Sequence, residues 1–151
     1  MMMKPRIAIA SEHAGFKLKE YLKKALENDG YTVNDMGTDS DTPADYPYIA
    51  EKLSKSIMSV ECDFGILICG TGIGMSIAAN KVDGIRAALC TDIFSVRYTR
   101  LHNDANILCL GAWITAEKLS YEMVIEFLTT GFAGGRHSIR IEKLMLLETR
   151  R

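Results

Sequence analysis

The chain has 151 residues, 18 basic and 19 acidic side chains, a formal net charge of −1 and 48% hydrophobic residues. That length fits one domain over 1–151, large enough to bury roughly two thirds of its unfolded surface without covalent staples. The near-neutral charge excludes the strongly basic face of a nucleic-acid binder, and high apolar content with low net charge excludes intrinsic disorder.

Residues 6–10 (RIAIA) are the first strand candidate, followed by Ser11-Glu12-His13-Ala14-Gly15. Phe16–Asn28 carries Leu18, Tyr21, Leu22, Ala25 and Leu26 at helical spacing,. Asn28-Asp29-Gly30 stops that helix, and Tyr31–Asp35 reads as a second strand,. Gly37–Asp45 is polar and aperiodic, hence a loop, and Pro47 suits the first turn of a helix carrying Ile49, Leu53 and Ile57,. Phe64–Cys69 (FGILIC) is a continuous apolar run, as expected of a parallel strand covered on both faces,. GTGIG follows it, then a short helix reaching Asn80. Arg86–Cys90 and Asn106–Leu110 are further strands; helices are expected near Ile93–Leu101, Ala116–Thr129 and Ile139–Thr149. This alternation predicts a Rossmann-like α/β fold, a three-layer αβα sandwich around a five-stranded parallel sheet. Ligands of such sheets sit beyond the carboxyl ends of the strands.

The four cysteines, Cys62, Cys69, Cys90 and Cys109, form no CxxC pair and show no metal-ligand spacing,. An even count in a chain without a signal sequence reads as free thiols in a reducing compartment. The opening MMMKPRIAIA holds too short an apolar run for a signal peptide or a membrane span,. The expectation is a cytoplasmic protein without metal, nucleic-acid or membrane partners.

The sharpest chemical element is Cys69-Gly70-Thr71-Gly72-Ile73-Gly74, a buried strand running into a Gly-rich turn and a helix. Glycines there let backbone amides converge and a ligand approach closely, and the helix start adds unpaired N–H groups. Neither GxGxxG nor a P-loop is present, because Met75 stands at the third glycine position and no Gly-Lys-Ser/Thr follows,. The plain alternative is a tight strand-to-helix turn. Cys69 raises the interest of the turn, since amides and a helix start favour a thiolate, whereas Cys90 and Cys109 read as inert core residues and Cys62 as incidental.

His13, His102 and His137 all fall in polar segments expected at strand ends or helix starts. Arg136 and Arg140 stand one helical turn apart and make a two-pronged guanidinium clamp suited to phosphate,. Asp45-Tyr46-Pro47 offers a carboxylate and a phenol near the same sheet edge, with Asp45 equally suited to cap the following helix,.

Together with Ser76–Lys81, Gly84–Ala87, His102–Asn106 and Gly134–His137, these motifs resemble the type B ribose-5-phosphate isomerases, a family shared with galactose-6-phosphate and allose-6-phosphate isomerases. The resemblance implies a cofactor-independent aldose–ketose isomerase of the pentose phosphate pathway, dimeric or tetrameric, with sites shared between subunits. By resemblance, Cys69 is the base that moves a proton from carbon 2 to carbon 1, and His102 is the acid that opens the sugar ring. The amides of Gly70, Thr71, Gly72, Ile73 and Gly74 would hold the enediolate, with Asn103 and Tyr46 on sugar hydroxyls. His13, Arg136 and Arg140 would contact phosphate or ring oxygen.

Two positions depart from the family pattern. Glu12 stands where an Asp is usual, and Trp113 stands where many members carry an Arg that binds phosphate. A neutral indole cannot replace a guanidinium. The alternatives are therefore a six-carbon sugar phosphate with the same chemistry, or a non-catalytic phosphosugar- or nucleotide-binding module.

Overall fold

The computed structural model describes residues 3–150; residues 1, 2 and 151, the ends of the expected domain span, lie outside the described residues. Among the described residues five strands form one sheet: β1 (Arg6–Ser11), β2 (Thr32–Asp35), β3 (Phe64–Cys69), β4 (Ala87–Leu89) and β5 (Ile107–Gly111). Their order is β2-β1-β3-β5-β4, and every neighbouring pair is parallel. The helices are α1 (Phe16–Asn28), α2 (Tyr46–Met58), α3 (Ile73–Ala79), α4 (Ile93–Asn103), α5 (Glu117–Thr129) and α6 (Arg136–Met145), with 3-10 turns at His13–Gly15 and Leu146–Arg150. This is the expected αβα sandwich.

The period of two along each strand sorts the core into two layers. Ile7, Ile9, Ile66, Ile68, Leu108 and Leu110 pack on one side with Leu22 of α1, Val96 of α4 and Phe127 of α5. Ala8, Ala10, Leu67, Cys69 and Cys109 pack on the other with Leu53 of α2 and Met75 of α3. Small residues thin this second layer: a methyl at Gly65 would lie 2.5 Å from Leu53 Cδ2. Cys62, expected to be incidental in a polar stretch, belongs to this core layer and is 4% exposed.

Most boundaries fall within a residue of the sequence expectation, and three elements differ in ways that bear on the site. α4 runs through Asn103, past the last apolar residue of its stripe, until left-handed Asp104 (φ 44°) ends it. α6 begins at Arg136, because Gly134 and Gly135 turn the chain with positive φ, and tightens into 3-10 geometry at Leu146. His102 and His137 therefore stand on helices and not in loops. β4 is shorter than expected; side-chain oxygens of Asn106 and Asn80 take the amides of Arg86 and Ala87 at its entrance.

All carboxyl ends of a parallel sheet open on one edge, and the switch point lies between β1 and β3, where the chain turns from filling one side of β1 to the other,. The end of β2 is tied to this point through a buried ion pair. Lys19 of α1 is fully buried, with its Nζ 2.7 and 2.8 Å from the Asp35 oxygens and Lys23 Nζ at 3.0 Å. Gly37 N–H donates to Asp35 Oδ1 at 3.0 Å, and Ser11 N–H donates to Gly37 O at 2.8 Å.

Burial pushes the Asp35 carboxyl up, but Lys19, the Gly37 amide and Lys23 together outweigh it and hold the group below the usual range. Its contribution to stability is therefore present above pH ~4 and lost as pH falls through the lowered value. Asp35→Asn leaves the buried Lys19 ammonium with Glu20 Oε1 at 3.0 Å as its remaining carboxylate and should cost about 1–3 kcal/mol at neutral pH,. Urea titrations of both proteins from pH 7 to 3 test this: wild type should converge on the variant as pH falls, and a constant gap would contradict the assignment.

Candidate active site

Cys69 ends β3, with its side chain in the layer facing α2 and α3, and the chain then reverses tightly. Gly72 takes a left-handed conformation (φ 79°) that starts α3, and its N–H donates to Cys69 Sγ at 3.1 Å. That bond aims the sulfur at the turn. The turn in turn sits on the end of β5: Ala112 N–H donates to Cys69 O and Trp113 N–H to Gly70 O, both at 2.9 Å. A methyl on Gly111 would stand 2.6 Å from the Thr71 carbonyl carbon and oxygen, so this packing requires glycine there.

Two other glycines make room for aromatic walls. A methyl at Gly70 would lie 2.7 Å from the Trp113 ring, and one at Gly74 would lie 2.9 Å from Tyr46 Cε2. Of the amides expected to cradle an oxyanion, Gly72 N–H is on the sulfur and Ile73 N–H is on Thr71 Oγ1 at 3.3 Å. The other three candidates are those of Gly70, Thr71 and Gly74.

Glu12 lies at the entrance of the 3-10 turn after β1 and is 7% exposed. Its Oε1 accepts from the amides of Ala14 (2.8 Å) and Gly15 (3.2 Å), while Oε2 lies 2.9 Å from His13 Nδ1. His13 Nδ1 also lies 3.3 Å from Ala44 N–H. One nitrogen cannot donate to the carboxylate and accept from the amide together. The hydrogen bond that forms is the one from Ala44, so Nδ1 accepts and Nε2 carries the ring proton toward a ligand, with the Glu12 carboxylate alongside,. The longer side chain of Glu12 thus bends back onto local amides with its second oxygen against His13.

Glu12, His13, Tyr46, Cys69, Gly70, Thr71, Gly74 and Trp113 line one cavity of about 210 Å³. His102, Asn103 and Arg140, with His137, line a second of about 570 Å³, and the two share no described lining residue. The candidate residues are thus divided between two separate cavities. Asp45 stands at the N-cap position of α2, exposed and without a side-chain cap bond, and lines neither cavity; exposed Arg136 lines neither as well.

The last turn of α4 is held by a clamp that sequence reasoning did not assign. Arg86 donates to the carbonyls of Asn103 and Asp104 at 2.9 Å, and Arg100 Nη1 donates to Asp104 Oδ1 and Ala105 O at 2.7 Å. The final carbonyls of a helix lack intrahelical partners and carry its negative end, so Arg86 settles those of Asn103 and Asp104 while Arg100 ties down the chain just past the helix,.

The remaining thiols are core groups. Burial, with Asp92 adding, pushes the Cys90 thiol up to about 11, and burial pushes fully buried Cys109 up as well. Among the described residues no cluster of three or more His, Cys, Asp or Glu is placed to hold a metal ion, and no helix is long and apolar enough to cross a membrane.

A thiol at a strand end beneath a Gly-rich turn, sharing a cavity with an imidazole and a carboxylate, is the arrangement of an acid–base site on a parallel α/β sheet. A family model described as Ribose/Galactose Isomerase matches residues 7–144. Ribose-5-phosphate isomerase B of Escherichia coli is 41% identical over 146 residues, covering 97% of this chain and 98% of its own. The crystal structure of a ribose 5-phosphate isomerase from Thermotoga maritima superposes with a TM-score of 0.94 at 51% identity, covering 95% of this chain and 99% of that one. A 4-deoxy-4-sulfo-D-erythrose isomerase of Clostridium sp. is 43% identical over 140 residues, covering 92% and 88%. The chain belongs to the ribose/galactose isomerase family.

Two alanine substitutions separate the roles of the glycines. Gly111→Ala meets backbone and should cost about 1–3 kcal/mol of stability. Gly74→Ala meets only the movable Tyr46 ring, so it should leave the urea midpoint nearly unchanged while lowering kcat/KM. Equal losses of stability in both variants would show that Tyr46 cannot yield.

Proposed function

We propose that the chain interconverts ribose 5-phosphate and ribulose 5-phosphate through an enediolate, acting without a cofactor as one 1–151 domain in the cytoplasm. The observation that carries this reading is Cys69 at the end of β3 with the Gly72 N–H on its sulfur. His102 gives a proton to the ring oxygen as the bond from that oxygen to carbon 1 breaks and the carbon 1 hydroxyl releases its proton to solvent, leaving the aldehyde. Cys69 takes the proton from carbon 2 and the electron pair moves onto the carbonyl oxygen at carbon 1, forming the enediolate. The hydroxyl proton on oxygen 2 passes to oxygen 1, and return of the proton from Cys69 to carbon 1 completes the ketose. Amides of the turn stabilise the developing oxyanion, worth several kcal/mol for preformed donors. His13 and Arg140 hold phosphate or ring oxygen. The free state of all four cysteines supports a reducing compartment,.

Catalysis on this reading needs both half-sites, and we place them together across two copies of the chain. Exposed apolar side chains border each half: Trp113 and Ile73 beside the thiol turn, Phe94 and Tyr98 beside His102. Cys69→Ala and His102→Asn are each expected to be inactive alone. Mixed by unfolding and refolding, they should regain activity, because one of the two sites in a mixed dimer is then intact. No recovery from verified mixed dimers would place both residues in one subunit's site.

Hydrogen exchange separates catalysis from mere binding. In deuterated water the wild type should wash solvent deuterium into the sugar, and Cys69→Ala should lose about 10²–10⁴-fold in rate. Exchange at the wild-type rate in that variant would refute Cys69 as the base.

Trp113 favours a second reading, the same chemistry on a different sugar. Parallel assays on ribose 5-phosphate, allose 6-phosphate and galactose 6-phosphate decide it, and no turnover of the pentose would end the first reading. If phosphate is held with one cation too few, Trp113→Arg should lower KM; an unchanged or higher KM would make Trp113 a wall for the sugar.

A further inference from the structure

α4 carries a row of rings at a spacing of four, Phe94, Tyr98 and His102, which share one helix face. Phe94 and Tyr98 lie 4.5 Å apart, and Tyr98 meets His102 edge-on at 4.9 Å. The row is completed from another element: His137, in the first turn of α6, lies face to face with His102, with centroids 4.0 Å apart and planes 13° apart. His137 is 9% exposed, so this is a packed contact and not a meeting of surface rings.

We propose that His137 is a positioning residue for His102, stacking on its imidazole so that the ring plane is fixed and its nitrogens stay free at the edge to serve the sugar ring. The proposal rests on the isomerase reading for His102. A face contact holds a ring without using either nitrogen, which a hydrogen-bonded orienter cannot do. Between Tyr98 and His137 the acid is set before substrate arrives, the condition under which orientation lowers a barrier.

The stack also governs charge. Two positive charges at this separation would repel, which disfavours a proton on His137. Burial holds His137 below the usual histidine value, and His102, Arg136 and Arg140 add to the effect. The other titratable or charged groups facing the pair are Tyr98 on α4, Arg140 on α6 and Cys90 after β4; no carboxylate is among the described residues lining this cavity.

Two experiments test the proposal. In NMR titrations of the labelled protein, His137 should titrate below the ordinary histidine range, and its midpoint should rise in His102→Gln; an unchanged midpoint would overturn the coupling. This readout needs no substrate, so it stands even if the isomerase reading fails. In kinetics, His137→Ala should lower kcat about tenfold with KM changed less than threefold, and His137→Phe, which keeps a flat ring, should recover most of that loss. If Ala does not fold, His137→Asn takes its place. If both variants raise KM equally and spare kcat, His137 is a phosphate ligand and the proposal fails; it also fails if neither constant moves.

Discussion

The thiol turn can lie where it does only because the positions around it lack side-chain carbon. Gly111 lets the backbone of Thr71 rest on the end of β5, Gly72 supplies the left-handed start of α3, and Gly70 and Gly74 leave space for Trp113 and Tyr46. With the turn seated, the Gly72 amide meets the sulfur and the two aromatic rings wall the cavity above it. The glycines thus work less as bare exposers of amides than as clearances, each cut for a particular neighbour.

Parallel pairing explains why the other groups collect on the same edge, and helix chemistry explains why they separate into two halves. Glu12 and His13 leave β1 beside the switch point and line the same cavity as the thiol. His102 and Asn103 are one helix away, on the C-terminal turn of α4. That turn is a costly place for unpaired carbonyls; Arg86 removes the cost by occupying those of Asn103 and Asp104, and Arg100 holds the residue after them,. Net charge carries no information about such a site. Arg140 and the histidines act over a few ångströms, while acids elsewhere cancel the sum.

Much of this was legible in the sequence. Apolar runs and their period gave the sheet, the sandwich and the core character of Cys90 and Cys109, because burial on both faces leaves an unbroken apolar run. Cys69 at the end of FGILIC was legible for the same reason. What escaped depended on distant partners. The clamp on α4 uses backbone carbonyls, which no residue type advertises. The length of α4 beyond Leu101 was hidden because its last turn is polar on every side, and apolar periodicity ends before the helix does. The placement of His137 on α6 depended on two glycines read as loop. Asp45 matched a site motif in sequence, yet the structure leaves it exposed at a helix start.

The two departures from the family pattern show which kinds of substitution a site absorbs. Glu12 keeps its charge and adds one methylene, and a flexible chain takes up that length by curling onto the Ala14 and Gly15 amides while its second oxygen still lies against His13. The local backbone compensates, so the change is silent in the geometry. Trp113 changes the kind of group. Its backbone bond to Gly70 O is indifferent to side-chain identity, so the turn survives, but an indole presents a flat apolar face where a guanidinium would present charge. No neighbouring residue on that cavity supplies a permanent cation, since its described lining contains neither Lys nor Arg. The thiol cavity therefore offers shape and amides, whereas the permanent positive charge of Arg140 lines the other cavity.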